Sequence, residues 1–166
     1  MPNTLQAAYR LADRTAEQIT GSCEQYTAFL RTAARLYKYP YSEQLMIFAQ
    51  RPDATACAEY GVWNEHMGRY IRHGSRGIAL IDVIGDTPRL RYVFDVADTG
   101  TREHSRSVSP WELQPEDRGA VAAALSESSG VPAGGSLEDQ LERIAVSLAG
   151  EYWNEHQFEI LHILDG

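Results

Sequence analysis

The sequence has little lysine, little cysteine and no long apolar run. Its single lysine, Lys38, lies far from any cluster of glycines, whereas a nucleotide-binding P-loop ends in Gly-Lys-Ser/Thr, so Walker-type nucleotide chemistry is excluded. The two cysteines, Cys23 and Cys57, are too few for a disulfide framework and have no Cys or His nearby at the spacing of zinc ligands. We expect both cysteines to be buried as small hydrophobic side chains.

No membrane segment is predicted either. No apolar run approaches the roughly 18 to 20 residues that span a bilayer, and the N-terminal residues have neither the basic start nor the apolar core of a signal peptide. Of the 166 residues, 43% are hydrophobic and 23% are charged, which is ordinary for a globular domain and excludes disorder throughout. The sequence therefore predicts a cytoplasmic protein with no membrane partner.

Motifs for catalysis and for metal binding are also missing. The glycine-rich turn over residues 74–77 precedes a strand-like run, whereas a dinucleotide fingerprint follows a strand and opens a helix. There is no nucleophile elbow and no His-Glu-x-x-His pair, and His156 and His162 are six residues apart, which does not place them on one helical face. We predict no catalytic residues, no metal and no cofactor. A hydrolase is kept as a third alternative, although spacing assembles no His/Asp/Glu set for it.

The net charge of −8 argues against a nucleic-acid partner, because phosphate affinity comes mainly from Lys and Arg. The charge is unevenly distributed, however. Residues 1–30 have two basic and three acidic side chains, residues 31–91 nine and six, and residues 92–166 four and fourteen, giving net charges of −1, +3 and −10. A local anion-binding face in the middle of the chain is therefore compatible with the acidic total.

Apolar spacing predicts two helices in the N-terminal half. From Ser22, the expected N-cap, apolar residues recur every three or four positions up to Tyr39, where a proline ends the helix. A second helix is expected over residues 43–50, capped by Ser42 and apolar enough to lie in the core. Residues 54–64 are predicted as a short helix or turn.

The next segment is rich in Val, Ile, Tyr and Phe, which is typical of strands. Residues 70–71, 78–83 and 90–96 form three such runs, separated by glycine-containing breaks. The break between the last two suits a hairpin, so we expect these runs to pair antiparallel. Three strands against the preceding helices make a small α+β unit, which a polar loop over residues 98–109 follows.

The C-terminal part is predicted to be helical and acidic. Pro115 suits the first position of a helix that continues to residue 125. Ser136 with Asp139 forms a capping-box variant for a helix that ends near residue 153. The apolar stretch 158–164 stops abruptly, so we expect the chain to be truncated within a longer polypeptide, or else this stretch to form an edge strand.

The predicted fold class is therefore α+β, with N-terminal helices packed on a small antiparallel sheet and a further C-terminal helical segment. The predicted domain organisation places the α+β domain over residues 1–98. An acidic, mainly helical extension follows over residues 99–166.

Aromatic side chains interleaved with arginines are the pattern that points to a ligand. Rings that stack on unpaired bases beside guanidinium groups that contact phosphates are typical of single-strand binding, and glycines let backbone N–H groups approach a phosphate. The alternative is that Trp63 and the tyrosines pack in the core while the arginines form a solvated face. The pattern comprises Tyr37, Lys38, Tyr39, Tyr41, Arg51, Trp63, His66, Arg69, Tyr70, Arg72, His73 and Arg76, with Gly68, Gly74 and Gly77.

The same segment resembles a known family. It contains the run YKYPYSEQLMIFAQRPDAT from Tyr37, followed by Trp63-Asn64, Gly68-Arg69-Tyr70-Ile71 and Gly74-Ser75-Arg76-Gly77-Ile78. These motifs are similar to the N-terminal domain of antirestriction proteins of the ArdC type, and more so to the N-terminal segment of large helicase and methylase-like proteins of integrative conjugative elements. The resemblance covers about residues 22–98. It implies a single-stranded-DNA-binding module of a mobile-element protein.

The positions that match the family's motif are Gln50, Trp63, Gly68, Arg69, Gly74 and Gly77. Two departures limit what the resemblance implies. ArdC-type proteins carry a C-terminal zinc protease-like domain with His-Glu-x-x-His, which this chain lacks, so proteolysis is not implied. The family turn commonly has lysines around its glycines, where this chain has Arg72, His73 and Arg76, which retain most of the charge.

The leading prediction is a non-catalytic single-stranded-DNA-binding domain, whose partners are single-stranded DNA and other domains of a larger parent protein. The alternative is a protein-interaction or DNA-mimic module that uses the acidic region 92–166 and its amphipathic helix over residues 137–152. The predicted DNA contacts are Lys38, Tyr39, Gln50, Arg51, Trp63, Arg69, Tyr70, Arg72 and Arg76, with Gly68, Gly74 and Gly77 approaching phosphates.

Overall fold

The computed structural model describes residues 2–109 and 112–164. The chain divides into two compact units, residues 1–111 and residues 112–166. Helices and small antiparallel sheets make up the first unit, and helices make up the second, so the predicted α+β class is confirmed. Within the described ranges, no helix is both long and apolar enough to cross a bilayer.

Three helices open the first unit, and the earliest of them is not predicted from the sequence. They are α1 (Leu5–Thr20), α2 (Cys23–Arg35) and α3 (Tyr41–Gln50). The Thr4 side chain accepts a hydrogen bond from the Ala7 N–H and caps α1, and Ser22 caps α2 as predicted. Helix α2 ends at Arg35, before the predicted end at Tyr39, and α3 begins after Pro40 rather than at a Ser42 cap.

The strands form two separate sheets. They are β1 (Cys57–Glu59), β2 (Tyr70–Ile71), β3 (Ile78–Ile84), β4 (Thr87–Asp95) and β5 (Thr99–Gly100). The larger sheet has the order β1-β4-β3, and β3 pairs antiparallel with β4 from Ile78 opposite Val93, which confirms the predicted hairpin. The connecting Gly85 has φ +60°, a conformation that glycine adopts without strain.

Two predicted local structures are wrong. The segment 54–64 is not a simple helix or turn, because β1 pairs with β4 and a π-helical turn, Val62–His66, follows it. The run 70–71 does not join the larger sheet: β2 pairs antiparallel with β5, with Tyr70 opposite Gly100 and Ile71 opposite Thr99. The polar segment after residue 98 therefore contains a strand, and the first compact unit continues to residue 111.

The core of the first unit lies between α1, α3 and the larger sheet. Helix α3 is central, as predicted, with Met46 and Ile47 buried against Ile78 and Leu80 of β3. A smaller cluster joins Ile19, Phe29 and Leu45, one from each helix. Burial of these apolar side chains is the main force that holds the helices on the sheet. The buried residues of the larger cluster are Ala8, Leu36, Met46, Ile47, Ala54, Ile78, Leu80 and Val93.

The cysteines are not buried as expected. Cys23 is exposed at the start of α2, and Cys57 is half-buried in β1. The Cys57 thiol lies 3.8 Å from Oδ2 of Asp95, a buried carboxylate at the end of β4. Only Cys57 thus has the packed surroundings that the sequence analysis expected for both.

The second unit is helical. A 3₁₀ turn, Pro115–Asp117, leads into α4 (Arg118–Ser129), and α5 (Leu137–Leu164) follows. The predicted capping box is confirmed, because the Asp139 N–H donates to Ser136 Oγ and the Ser136 N–H donates to Asp139 Oδ2. The stretch 158–164 belongs to α5, so the edge-strand alternative is wrong.

Candidate nucleic-acid interface

The β2–β5 pair is the scaffold of the candidate interface. Backbone hydrogen bonds tie its two chain segments together: the Arg72 N–H donates to the Asp98 carbonyl at 2.9 Å, and the Arg106 N–H donates to the Met67 carbonyl at 2.9 Å. The Ser105 hydroxyl adds a bond of 2.7 Å to the Gly68 carbonyl. Residues that lie about 30 positions apart in sequence are thereby held in one local structure.

Tyr70 presents an aromatic ring at the surface of this scaffold, with 43% of the residue exposed. The ring packs on the backbone of Gly100, where an added Cβ would collide with Tyr70 Cζ. The Arg102 guanidinium carbon lies 5.7 Å from the ring centroid, within cation–π distance. The Arg102 Nη1 also donates to Asn64 Oδ1 at 3.1 Å, which fixes the guanidinium beside the ring. The ring is therefore both supported and exposed.

Three further exposed arginines, Arg72, Arg76 and Arg106, lie in the segments that this scaffold holds together. Arg72 makes one weak contact, from Nη1 to the Ala97 carbonyl at 3.4 Å. Within the described residues, the side chains of Arg76 and Arg106 are exposed and make no hydrogen bond or ion pair. The turn that carries Arg76 is tied to the scaffold, because Ser75 Oγ donates to the Asp98 carbonyl. We call this set the Tyr70 surface; it consists of Tyr70, Arg72, Arg76, Arg102 and Arg106.

Sequence reasoning missed Gly100, Arg102 and Arg106. Their segment reads as a polar loop, and its strand character becomes visible only through the pairing with β2. The tertiary fold then places the Gly100 backbone against the Tyr70 ring and the Arg102 guanidinium beside it. The signal in the sequence was the pair of arginines within a glycine-containing segment, which alone is not specific.

Trp63 lies in the core. The residue is 3% exposed, and its indole Nε1–H donates to the Phe94 carbonyl at 2.8 Å. A buried ring offers no face to a base, so Trp63 supports the sheet from the π-helical turn and is outside the Tyr70 surface. This is the packing role that the sequence analysis gave as the alternative.

Gln50 pairs with the backbone of the edge strand β3. Its Nε2 donates to the Ala79 carbonyl at 2.9 Å, and its Oε1 accepts from the Ala79 N–H at 3.0 Å. A further bond from Nε2 reaches the Met46 carbonyl. All the polar atoms of this side chain thus have partners within the fold.

Two of the predicted arginine contacts also have internal partners. Arg51 Nη1 lies 2.8 Å from Asp98 Oδ2, and its Nε lies 3.3 Å from Asp53 Oδ1. The hydrogen bond to Asp98 raises the pKa of Arg51 and so favours its charged form. The Asp98 carboxylate neutralises that charge within the fold. Arg69 Nε donates to the hydroxyl of buried Thr99 at 2.7 Å. Both arginines brace the β2–β5 pair.

Lys38 and Tyr39 lie in the turn between α2 and α3 and differ in exposure. Lys38 is exposed, and its Nζ lies 5.7 Å from the ring centroid of Tyr37. The Tyr39 hydroxyl donates to the Cys57 carbonyl at 2.8 Å, and burial raises the pKa of this phenol. No contact within the described residues joins either side chain to the Tyr70 surface.

The three predicted glycines have different roles. Gly74 has φ +86° and open space around it, so its backbone is accessible. Gly68 has φ +63°, and a Cβ at this position would lie 3.4 Å from the His104 carbonyl oxygen. A Cβ at Gly77 would lie 3.1 Å from Tyr92 Cβ and 3.1 Å from Phe94 Cζ, so this glycine allows close packing against β4.

Charge is divided sharply between the two units. The first unit has 13 basic and 12 acidic side chains, and the second has 2 and 11, giving net charges of +1 and −9. Several acidic groups of the first unit are held in ion pairs with Arg51, Arg89 and Arg91. The arginines of the Tyr70 surface are not among them, which leaves their charge available to an anion.

Neither a cluster of metal-ligating side chains among the described residues nor a similar known protein indicates what the chain does. In the part of the chain that the structure describes, no group of three or more His, Cys, Asp or Glu side chains is placed to hold a metal ion. No family model, curated protein or solved structure matches the chain.

Proposed function

We propose that the Tyr70 surface binds single-stranded DNA, and that the chain is a non-catalytic, cytoplasmic DNA-binding module of a mobile-element protein. The observation that carries this proposal is the exposed Tyr70 ring, supported by Gly100 and flanked by the Arg102 guanidinium. The resemblance of residues 22–98 to the N-terminal domains of ArdC-type proteins supports the same ligand.

The ring favours a single strand over a duplex. A base can stack on a protein ring only when it is not already stacked within a helix, and each such contact is worth about 1 to 3 kcal/mol. The ring of Tyr70 has a fixed position, because Gly100 lies against it and Arg102 lies beside it. Little ordering entropy is then lost when a base binds.

The arginines supply the charge that a polynucleotide requires. Arg72, Arg76 and Arg106 have exposed guanidinium groups and no carboxylate partner within the described residues. Guanidinium groups bind phosphate in a bidentate manner and retain their charge at all physiological pH values. The accessible backbone of Gly74 adds one N–H group in the turn between Arg72 and Arg76.

The test is fluorescence anisotropy with a labelled mixed-sequence single strand, a duplex and an RNA of the same sequence, at several salt concentrations. We expect the single strand to bind best, with an affinity that falls as salt rises. Tyr70→Ala should weaken binding by about 1 to 3 kcal/mol. Arg76→Glu should make the negative slope of log K against log salt shallower, by at least about 0.7 in magnitude.

Matched controls are available on the same unit. Tyr60→Ala removes another exposed tyrosine, and Arg31→Glu reverses another exposed arginine without a described side-chain partner. Equal losses in the controls would overturn the site. Absence of binding at low salt would overturn the proposed function and favour the protein-interaction alternative. A specific observation supports that alternative: α5 exposes large apolar side chains, which include Leu141, Val146, Leu148, Tyr152 and Trp153.

A further inference from the structure

We infer that the cleft between α1 and α3 binds the phosphates of a longer DNA strand and so extends the Tyr70 surface. This inference rests on the proposed function. The cleft is open and has a volume of about 430 Å³. Its walls include Ala7, Arg10, Leu11, Arg14, Ala49 and Gln50.

The two arginines of the cleft are positioned for one extended anion. Arg10 and Arg14 are four residues apart on α1, so they lie on the same helical face. Both arginines are exposed, and within the described residues neither makes a hydrogen bond or an ion pair. This holds although Asp13 lies three residues after Arg10 and Glu17 lies three residues after Arg14. Among the residues that the structure describes, no acidic side chain lines the cleft.

The remaining walls suit a nucleotide better than an inorganic ion. Ala7, Leu11 and Ala49 provide an apolar surface of mostly small side chains beside the two guanidinium groups. Ligand clefts commonly have volumes of about 300 to 1,000 Å³, so this cleft has room for a sugar or base next to a phosphate. Gln50 cannot contribute an amide, because its side chain already bonds Ala79.

A chain of contacts leads from the wall of the cleft to the strand that carries Tyr70. Gln50, in the cleft wall, is followed by Arg51, whose guanidinium binds the Asp98 carboxylate at 2.8 Å. The Asp98 carbonyl in turn accepts the Arg72 N–H at 2.9 Å. Two consecutive contacts therefore link the end of α3 to the backbone of Arg72, and a strand that follows them would run from Arg10 and Arg14 to Arg72.

The test measures affinity against strand length. Oligonucleotides of about 4, 8, 12 and 16 nucleotides cover the site sizes of known single-strand modules. The double variant Arg10→Gln/Arg14→Gln should leave the affinity for the shortest strand unchanged. It should weaken the longest about five- to tenfold and lower its salt slope by about 1.4, since each lost phosphate contact removes about 0.7.

Arg31→Gln is the matched control, because Arg31 is an exposed arginine on α2 outside the cleft. If the cleft variant behaves like this control at every length, or weakens all lengths equally, the inference is wrong while the Tyr70 surface stands. If even the longest strand fails to bind the unaltered protein at low salt, the proposed function and the inference both fail. Circular dichroism of each variant confirms that the fold is retained.

Discussion

At the scale of single residues, Asp95 organises the end of the larger sheet. The residue is 2% exposed, and its Oδ2 accepts the N–H groups of Thr55 and Ala56 at 2.7 and 3.0 Å, while its Oδ1 accepts the Ala97 N–H at 2.9 Å. A buried carboxylate is tolerated when hydrogen bonds replace its hydration. Burial and this neighbouring carboxylate raise the pKa of Cys57 to about 12.

This environment predicts unequal reactivity of the two thiols. At pH 8 we expect iodoacetamide to modify Cys23 and to spare Cys57, because the thiolate is the reactive form and a pKa of about 12 leaves almost none of it at Cys57. Peptide mass spectrometry after timed labelling measures both sites in one sample. In denaturant both should react. Labelling of Cys57 in the native protein at the rate of Cys23 would contradict the described packing.

At the scale of elements, the end of α3 protects the open edge of the sheet. Strand β3 is an edge strand in the order β1-β4-β3, so one side of its backbone lacks a strand partner. Gln50 bonds both the N–H and the carbonyl of Ala79, and Asp82 Oδ1 accepts the Val83 N–H at 3.0 Å. Side-chain cover of this kind reduces pairing between edges of different molecules.

Replacement of Gln50 tests this role. Gln50→Leu leaves the buried Ala79 N–H and carbonyl without their partner, so we expect a loss of about 1 to 3 kcal/mol in the free energy of unfolding. Urea denaturation followed by circular dichroism measures it. Gln6→Leu, at an exposed position of α1, is the control and should change stability by less than about 0.5 kcal/mol. Similar effects of both variants would show that the hydrogen bonds between Gln50 and Ala79 do not contribute to stability.

At the scale of the whole molecule, the two units differ in burial as well as in charge. All the buried hydrophobic residues of the described chain lie in the first unit. In the described part of the second unit, Gln140 is the one buried residue, and its Nε2 donates to the Ala122 carbonyl. Because apolar burial drives folding, most of the stabilising free energy belongs to the first unit.

Hydrogen exchange on the full chain should show this difference. We expect the central amides of α3, β3 and β4 to exchange at least about a hundredfold more slowly than those of α4 and of residues 137–157, since protection follows the local free energy of opening. Exchange measured by mass spectrometry of peptides resolves the two groups. Equal protection in both would mean that the second unit is stabilised by more than the contacts described.

Local patterns sufficed for some elements but not for others. The Ser22 cap, the Ser136 and Asp139 box and the β3–β4 hairpin each depend on residues close in sequence, and all three were predicted. Helix α1 was not predicted, although its buried residues Ala8, Thr15 and Ile19 have helical spacing, because a small and a polar residue make the apolar signal of that face weak.

Local sequence patterns were enough to give the α+β class, α2, a central α3, the hairpin, and the arginines and tyrosines available for an anion-binding surface. Which of these side chains are free to bind a ligand depends on the tertiary fold. The pairing of β2 with β5 places Gly100 and Arg102 beside Tyr70. Trp63 is buried and so is not accessible to a ligand. Burial and ion pairing depend on contacts between residues far apart in the chain, and the periodicity of the sequence carries no information about those contacts.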